Sequence, residues 1–170
     1  CLLLGDFNES LKNYKKAFSY AKRINYKEGQ AGFSFNIATV FLRQKKYTES
    51  LKYLNISIQA FKDMKNPYLV ECYILKAYLY MIKDDMECLN DSYEYIKDID
   101  SDNEYDHIRN WELYKINLYL GNLDRGFLNN AYKRMQEDLE VIESDTSKEL
   151  FLKYFTYGKL ITEEFSKGKK

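Results

Sequence analysis

One histidine, three cysteines, an alternation of aspartates and a run of lysines are the residues in this 170-residue chain whose types and spacing could carry chemistry. His107, in "NEYDHIRNWEL", is the only imidazole. As a general base it would need an oriented carboxylate, and Glu104 and Asp106 are the acids beside it in sequence. An ordinary surface histidine is the reading adopted. Without a second histidine, a His-based zinc site lacks ligands, and Asp106 and Glu104 alone do not make a triad. Cys1, Cys72 and Cys88 contain no CxxC pair. An odd, scattered set fits reduced cytoplasmic thiols, with Cys72 and Cys88 as small core residues.

Asp98, Asp100 and Asp102 alternate as in a calcium loop. Position six is Asn103 where a turn-making Gly belongs, and position twelve is Arg109 where a bidentate Glu belongs. A charged loop between helices is therefore expected there. "EGQAGF" carries two glycines but neither GxGxxG nor GK[ST], so it makes no phosphate cradle. Lys12, Lys15, Lys16, Lys22 and Arg23 share one helical stretch, with Arg43, Lys45 and Lys46 near the next turn. Most fall on an outward face, and direct nucleic-acid binding is not expected. No catalytic residue, metal ligand or cofactor emerges, and the chain reads as a non-enzyme.

The elements that would position these side chains are all helical. Seven Gly and one Pro are too few for the turns of a sheet protein, which consume both. The 17 Tyr and 10 Phe suit broad helix interfaces, where rings bury and hydroxyls reach water. No apolar run approaches the ~20 residues of a membrane span, and "CLLLG" is too short for a signal-peptide core. The chain begins without Met and is taken as a piece of a longer protein. Net charge is zero but unevenly spread. Residues 1–65 carry 12 Lys/Arg against 5 Asp/Glu, and residues 66–143 carry 8 against 17. Such a basic stretch could attract acidic partners, but drift along helical surfaces is the simpler reading.

A repeat organises the helices. Its turns are Gly5-Asp6-Phe7, Lys45-Lys46-Tyr47, Asp84-Asp85-Met86 and Gly121-Asn122-Leu123, at steps of 40, 39 and 37 residues. In the second unit Phe33, Ile37, Ala38 and Phe41 fall at helical spacing before the turn. Tyr47, Leu51, Leu54, Ile58 and Phe61 do so after it. The small residues Ala38, Ser50 and Ser57 stand where two helices approach closely. Gly29 is expected just ahead of the first of these helices as a breaker. Expected helices run 7–25, 29–43, 47–64, 67–82, 86–98, 103–120, 123–143 and 147–166, with a stub at 1–4 and Pro67 in a first turn.

This pattern resembles the tetratricopeptide repeat. Ile37, Ala38, Phe41, Tyr47, Ser50, Leu54 and Ser57 match its seven signature positions. Unit one matches through Phe7, Ser10, Tyr14 and Ala17, so the chain is expected to open inside a repeat with only "CLLL" of its first helix. Unit three matches through Ala77, Tyr80, Met86, Leu89, Tyr93 and Ile96, with Lys76 where an apolar residue is expected. Unit four matches through Trp111, Leu118, Leu123 and Gly126, one residue out of register. The period exceeds the family's usual ~34 residues. In that it resembles the longer repeats of intracellular peptide-pheromone receptors of Gram-positive bacteria.

The resemblance implies an all-α fold, an α-α superhelix of antiparallel helix pairs. It would form a single domain over 1–170, with units at about 1–26, 27–65, 66–100 and 101–144 and a capping helix at 145–167. It also implies a cytoplasmic module that binds a peptide or protein segment in a concave groove. Carried over position by position, the groove residues are Phe35, Asn36, Thr39 and Arg43, then Glu71, Leu75 and Tyr78, then Lys115. Asn36 would grip a peptide backbone, since a side-chain amide both donates and accepts. The alternatives are the sensor domain of a peptide-responsive transcription regulator and an oligomerisation scaffold that pairs copies of the chain.

Overall fold

Helix ends recur along this chain at almost constant spacing, and they explain most of its architecture. The computed structural model describes residues 7–98, 106–154 and 156–167. Among them the structure is all-α, without strands: α1 (Phe7–Arg23), α2 (Lys27–Arg43), α3 (Tyr47–Asp63), α4 (Leu69–Lys83), α5 (Met86–Asp98), α6 (Asp106–Tyr119), α7 (Gly126–Glu140), α8 (Asp145–Tyr154) and α9 (Thr156–Lys167). None of these helices is long and apolar enough to cross a membrane. The stub expected at 1–4, the opening turn at Gly5-Asp6 and the loop that carries Asp100 and Asp102 lie outside the described residues.

Asn25, Lys45, Lys65 and Asp84 all have φ between 51° and 59°, and Gly121 has φ 81°. After each, the next N–H reaches back five residues: Tyr26 donates to the Ala21 carbonyl at 2.8 Å, Lys46 to Phe41 at 2.9 Å and Asn66 to Phe61 at 3.0 Å. Asp85 likewise donates to Tyr80 at 3.0 Å, and Asn122 to Asn117 at 2.9 Å. This left-handed C-terminal cap satisfies helix-end carbonyls and turns the chain within about three residues. Tight turns place successive helices side by side, and α1 packs on α2, α2 on α3 and α3 on α4. The packing of adjacent helices fits a helical repeat. Pro67 lies outside α4, which begins two residues later than expected, at Leu69. Asn66 accepts the Tyr68 N–H on its side chain at 2.9 Å, and the Leu69 and Val70 N–H groups bond three residues back.

The chain forms two compact units, Cys1–Tyr95 and Ile96–Lys170, with the division inside α5. In the first, Ala31, Ala38, Leu54, Phe61, Leu69, Cys72, Leu75 and Leu79 form the core. The small residues act as read from the sequence. The buried Ser50 hydroxyl donates to the Ala38 carbonyl at 2.7 Å, and that of Ser57 to Ala31 at 2.9 Å, which ties α3 to α2. Ser57 also touches the Cys72 sulfur at 3.3 Å, and burial pushes the Cys72 thiol up to about 12. Lys76 fits a half-buried position because its ammonium lies 5.4 Å and 5.7 Å from the centres of the Tyr73 and Tyr80 rings. Gly29 lies within α2 and not ahead of it. A Cβ there would come within 2.4 Å of the Tyr26 ring, so the missing side chain admits a close approach.

The second unit packs α6 on α7 and brings α9 against both. Trp111, Tyr114, Leu128, Ala131, Met135 and Ile161 make its core, and the Tyr132 and Phe165 rings stack at 3.9 Å. One sequence reading needs correction here. Leu118 and Leu123, read as repeat positions, are exposed, because the buried face of α6 carries Trp111, Tyr114 and Asn117 and that of α7 carries Leu128, Ala131, Met135 and Leu139. The stretch expected as a capping helix is helical over Asp145–Tyr154 and Thr156–Lys167, on either side of residue 155, which lies outside the described residues. Arg109, at position twelve of the calcium-like pattern, donates to the Ile96 and Lys97 carbonyls at 2.9 Å and 2.7 Å and closes the end of α5.

Candidate functional site

The first unit opens a cleft of about 380 Å³ beside α2. Four residues of one α2 stripe face it, Glu28, Gly32, Phe35 and Asn36, spaced by four, three and one as a helix face requires. The far side comes from Phe61 near the end of α3 and from Tyr68 and Glu71 at the entry to α4. The α3–α4 turn sets this wall. Capping by Asn66 swings the half-exposed Tyr68 ring to 6.1 Å from that of Phe61, tilted by 31°. A Cβ at Gly32 would meet nothing within 4 Å, so the cleft reaches down to the α2 backbone there.

Within this cleft the Asn36 side-chain amide makes no hydrogen bond to any described residue. The Glu28 carboxylate likewise has no partner among them. An amide without a partner offers donors and an acceptor to a ligand, and three aromatic rings offer apolar faces.

Three of the eight residues expected in a groove come together here: Phe35, Asn36 and Glu71. Thr39 follows on α2, but its hydroxyl donates to the Phe35 carbonyl at 3.0 Å. Arg43 is exposed at the end of α2, and Tyr78 is half-buried on α4; neither lines the cleft. Leu75 is corrected outright. It is buried in the core against α2 and α3, because Cys72, Leu75 and Leu79 form the inward stripe of α4. Lys115 belongs to the second unit, with its ammonium 2.8 Å from the buried Glu112 carboxylate and 5.6 Å from the Trp111 ring centre. Glu28, Gly32, Phe61 and Tyr68 escaped the sequence reading. The α2 stripe was visible in the spacing from Asn36, whereas Tyr68 depends on a turn that only Asn66 hints at.

A second depression, of about 570 Å³, is walled by Lys27, Gln30, Ile56, Gln59 and Met64, and contains none of the expected residues. His107 is a further correction. It is buried in the second unit with Nδ1 2.8 Å from Asp138 Oδ2, and Arg134 Nε lies 3.6 Å from the other carboxylate oxygen. α6 packs against α7, so the acid that meets this histidine comes from the next helix and not from its sequence neighbours. His107 lines neither cleft. Compared with protein-family models, curated proteins and solved structures, the chain gives no match.

Proposed function

We propose that the chain is a non-catalytic module that binds a peptide or protein segment in the cleft of its first unit. The observation that carries this reading is the Asn36 amide, without a partner among the described residues, set between aromatic walls above the bare backbone of Gly32. An extended segment has unpaired backbone N–H and C=O groups at every residue, and one side-chain amide can answer both. The rings of Phe35, Phe61 and Tyr68 supply apolar area for its side chains. The tetratricopeptide resemblance points to the same face of α2, with Asn36 as its backbone-gripping residue.

The test is a selection from a random peptide library on the full chain, followed by titration of the selected peptides. Asn36→Ala removes two hydrogen bonds of about 1 kcal/mol each and should weaken binding about tenfold or more. Equal affinity for wild type and Asn36→Ala overturns the reading.

A further inference from the structure

We infer that the cleft selects a cationic side chain, above all an arginine, in the segment it binds; this rests on the groove reading above and gives its ligand a chemical class. Among the described residues both ionic side chains that line the cleft are carboxylates, Glu28 from α2 and Glu71 from α4, and no lysine or arginine lines it. For Glu28 that sign runs against the local background, since residues 1–65 carry 12 Lys/Arg against 5 Asp/Glu; Glu71 belongs to the acidic stretch 66–143.

The aromatic rings give a second, separate argument. Elsewhere in the first unit several rings carry one of the chain's own cations: Lys15 over Phe41 at 5.3 Å, Arg23 over Tyr20 at 5.0 Å, and Lys83 over Tyr80 at 6.0 Å. Phe35, Phe61 and Tyr68 carry no such cation among the described residues. The part-exposed rings of Phe35 and Tyr68 beside the Glu28 carboxylate form an environment that a guanidinium satisfies twice, by stacking flat on a ring and by donating its planar N–H fork to the acid. An ammonium meets the same charge but stacks less well. The occupant is thus a basic peptide side chain, with Asn36 holding the backbone beside it.

The experiment uses the full chain and a random heptapeptide library. Peptides are kept when they bind wild type and are lost on Gly32→Leu, a substitution that fills the cleft from a position where added atoms meet nothing within 4 Å. The expected result is Arg or Lys at one fixed position of those peptides. Replacing that arginine by citrulline, which keeps shape and removes charge, should weaken binding about tenfold. In Glu28→Gln with Glu71→Gln, the arginine-to-citrulline ratio should fall to about twofold. Cleft-dependent peptides without a fixed cation, or equal binding of arginine and citrulline forms to wild type, overturn the cationic inference and leave the groove intact. If no peptide is lost on Gly32→Leu while that variant keeps its helical circular dichroism, the groove reading itself fails and takes this inference with it. The citrulline comparison is made on wild-type protein and does not depend on any variant folding.

Discussion

Lys45→Gly and Lys65→Gly should each stabilise this protein, although each removes a side chain and adds no contact. Both lysines hold a left-handed backbone, φ 59° and φ 51°, one residue past the end of a helix cap. An L-residue pays about 1–2 kcal/mol there because its Cβ crowds the following carbonyl. Glycine avoids that cost but loses about 0.5–1 kcal/mol more backbone entropy on folding than another residue does. Neither lysine side chain has a partner among the described residues, and both are exposed, so little else is lost. Arg43 and Lys62 remain in the last turns of α2 and α3 to meet the helix dipoles. The net gain is about 0.5 kcal/mol per site. With a whole helix between the sites, the double variant should gain about 1 kcal/mol. For a chain of this size that is a rise of about 2–4 °C in Tm, followed by far-UV circular dichroism. Lys45→Ala is the control, and should move Tm by less than a degree because alanine pays the same Cβ penalty. A double glycine variant that melts at or below the wild-type temperature would refute the cap-based account of how the helices turn.

Two other outcomes follow from the packing. Ser57→Ala should cost only about 0.5 kcal/mol in urea denaturation, because the lost bond to the Ala31 carbonyl is offset by better helix propensity; Ser57→Leu should cost about 3 kcal/mol by forcing α2 and α3 apart. Equal tolerance of alanine and leucine would show that close approach is not what the small residue provides. Glu164 accepts hydrogen bonds from Lys167 at 2.7 Å and Tyr114 at 3.1 Å; chiefly the Lys167 bond holds its carboxyl below the usual value of 4.5. Its contribution is therefore present above pH 4.5 and lost as pH falls through the lowered value. Melts followed by Trp111 fluorescence should show wild type more stable than Glu164→Gln at pH 7, with the gap narrowing as pH falls below 4.5; a constant gap would contradict the assignment.

The first unit was legible because its chemistry is local. Polar residues at each turn interrupt apolar residues spaced by three and four, and Ala38, Ser50 and Ser57 mark the close approaches with their own sizes. The second unit resisted for the opposite reason. α6 buries His107, Asn110, Glu112 and Asn117, polar residues that any periodicity rule turns outward. For His107 the partner lies on another helix, Asp138 of α7; Glu112 pairs with Lys115 one turn on in α6. The exposed Leu118 and Leu123 then drew the register one step away from the buried Leu128, Ala131 and Met135. For the cleft, the α2 face was readable from helical spacing, and Phe35 and Asn36 followed from it. Its opposite wall was not, since Tyr68 reaches Phe61 through a turn built by an Asn side chain. Leu75 failed because α4 presents its apolar stripe to the core, so that of the α4 residues expected in the groove Glu71 lines the cleft.

The central claim is that the α2–α4 cleft of the first unit is where a peptide segment binds. An NMR titration of the full isotope-labelled chain with a library-selected peptide tests it most directly. The account expects the largest shift changes at the Asn36 side-chain amide and the Gly32 backbone N–H, with smaller ones at Tyr68 and Glu71. Changes centred on Lys27, Gln30 and Gln59, or confined to α6–α9, would contradict it.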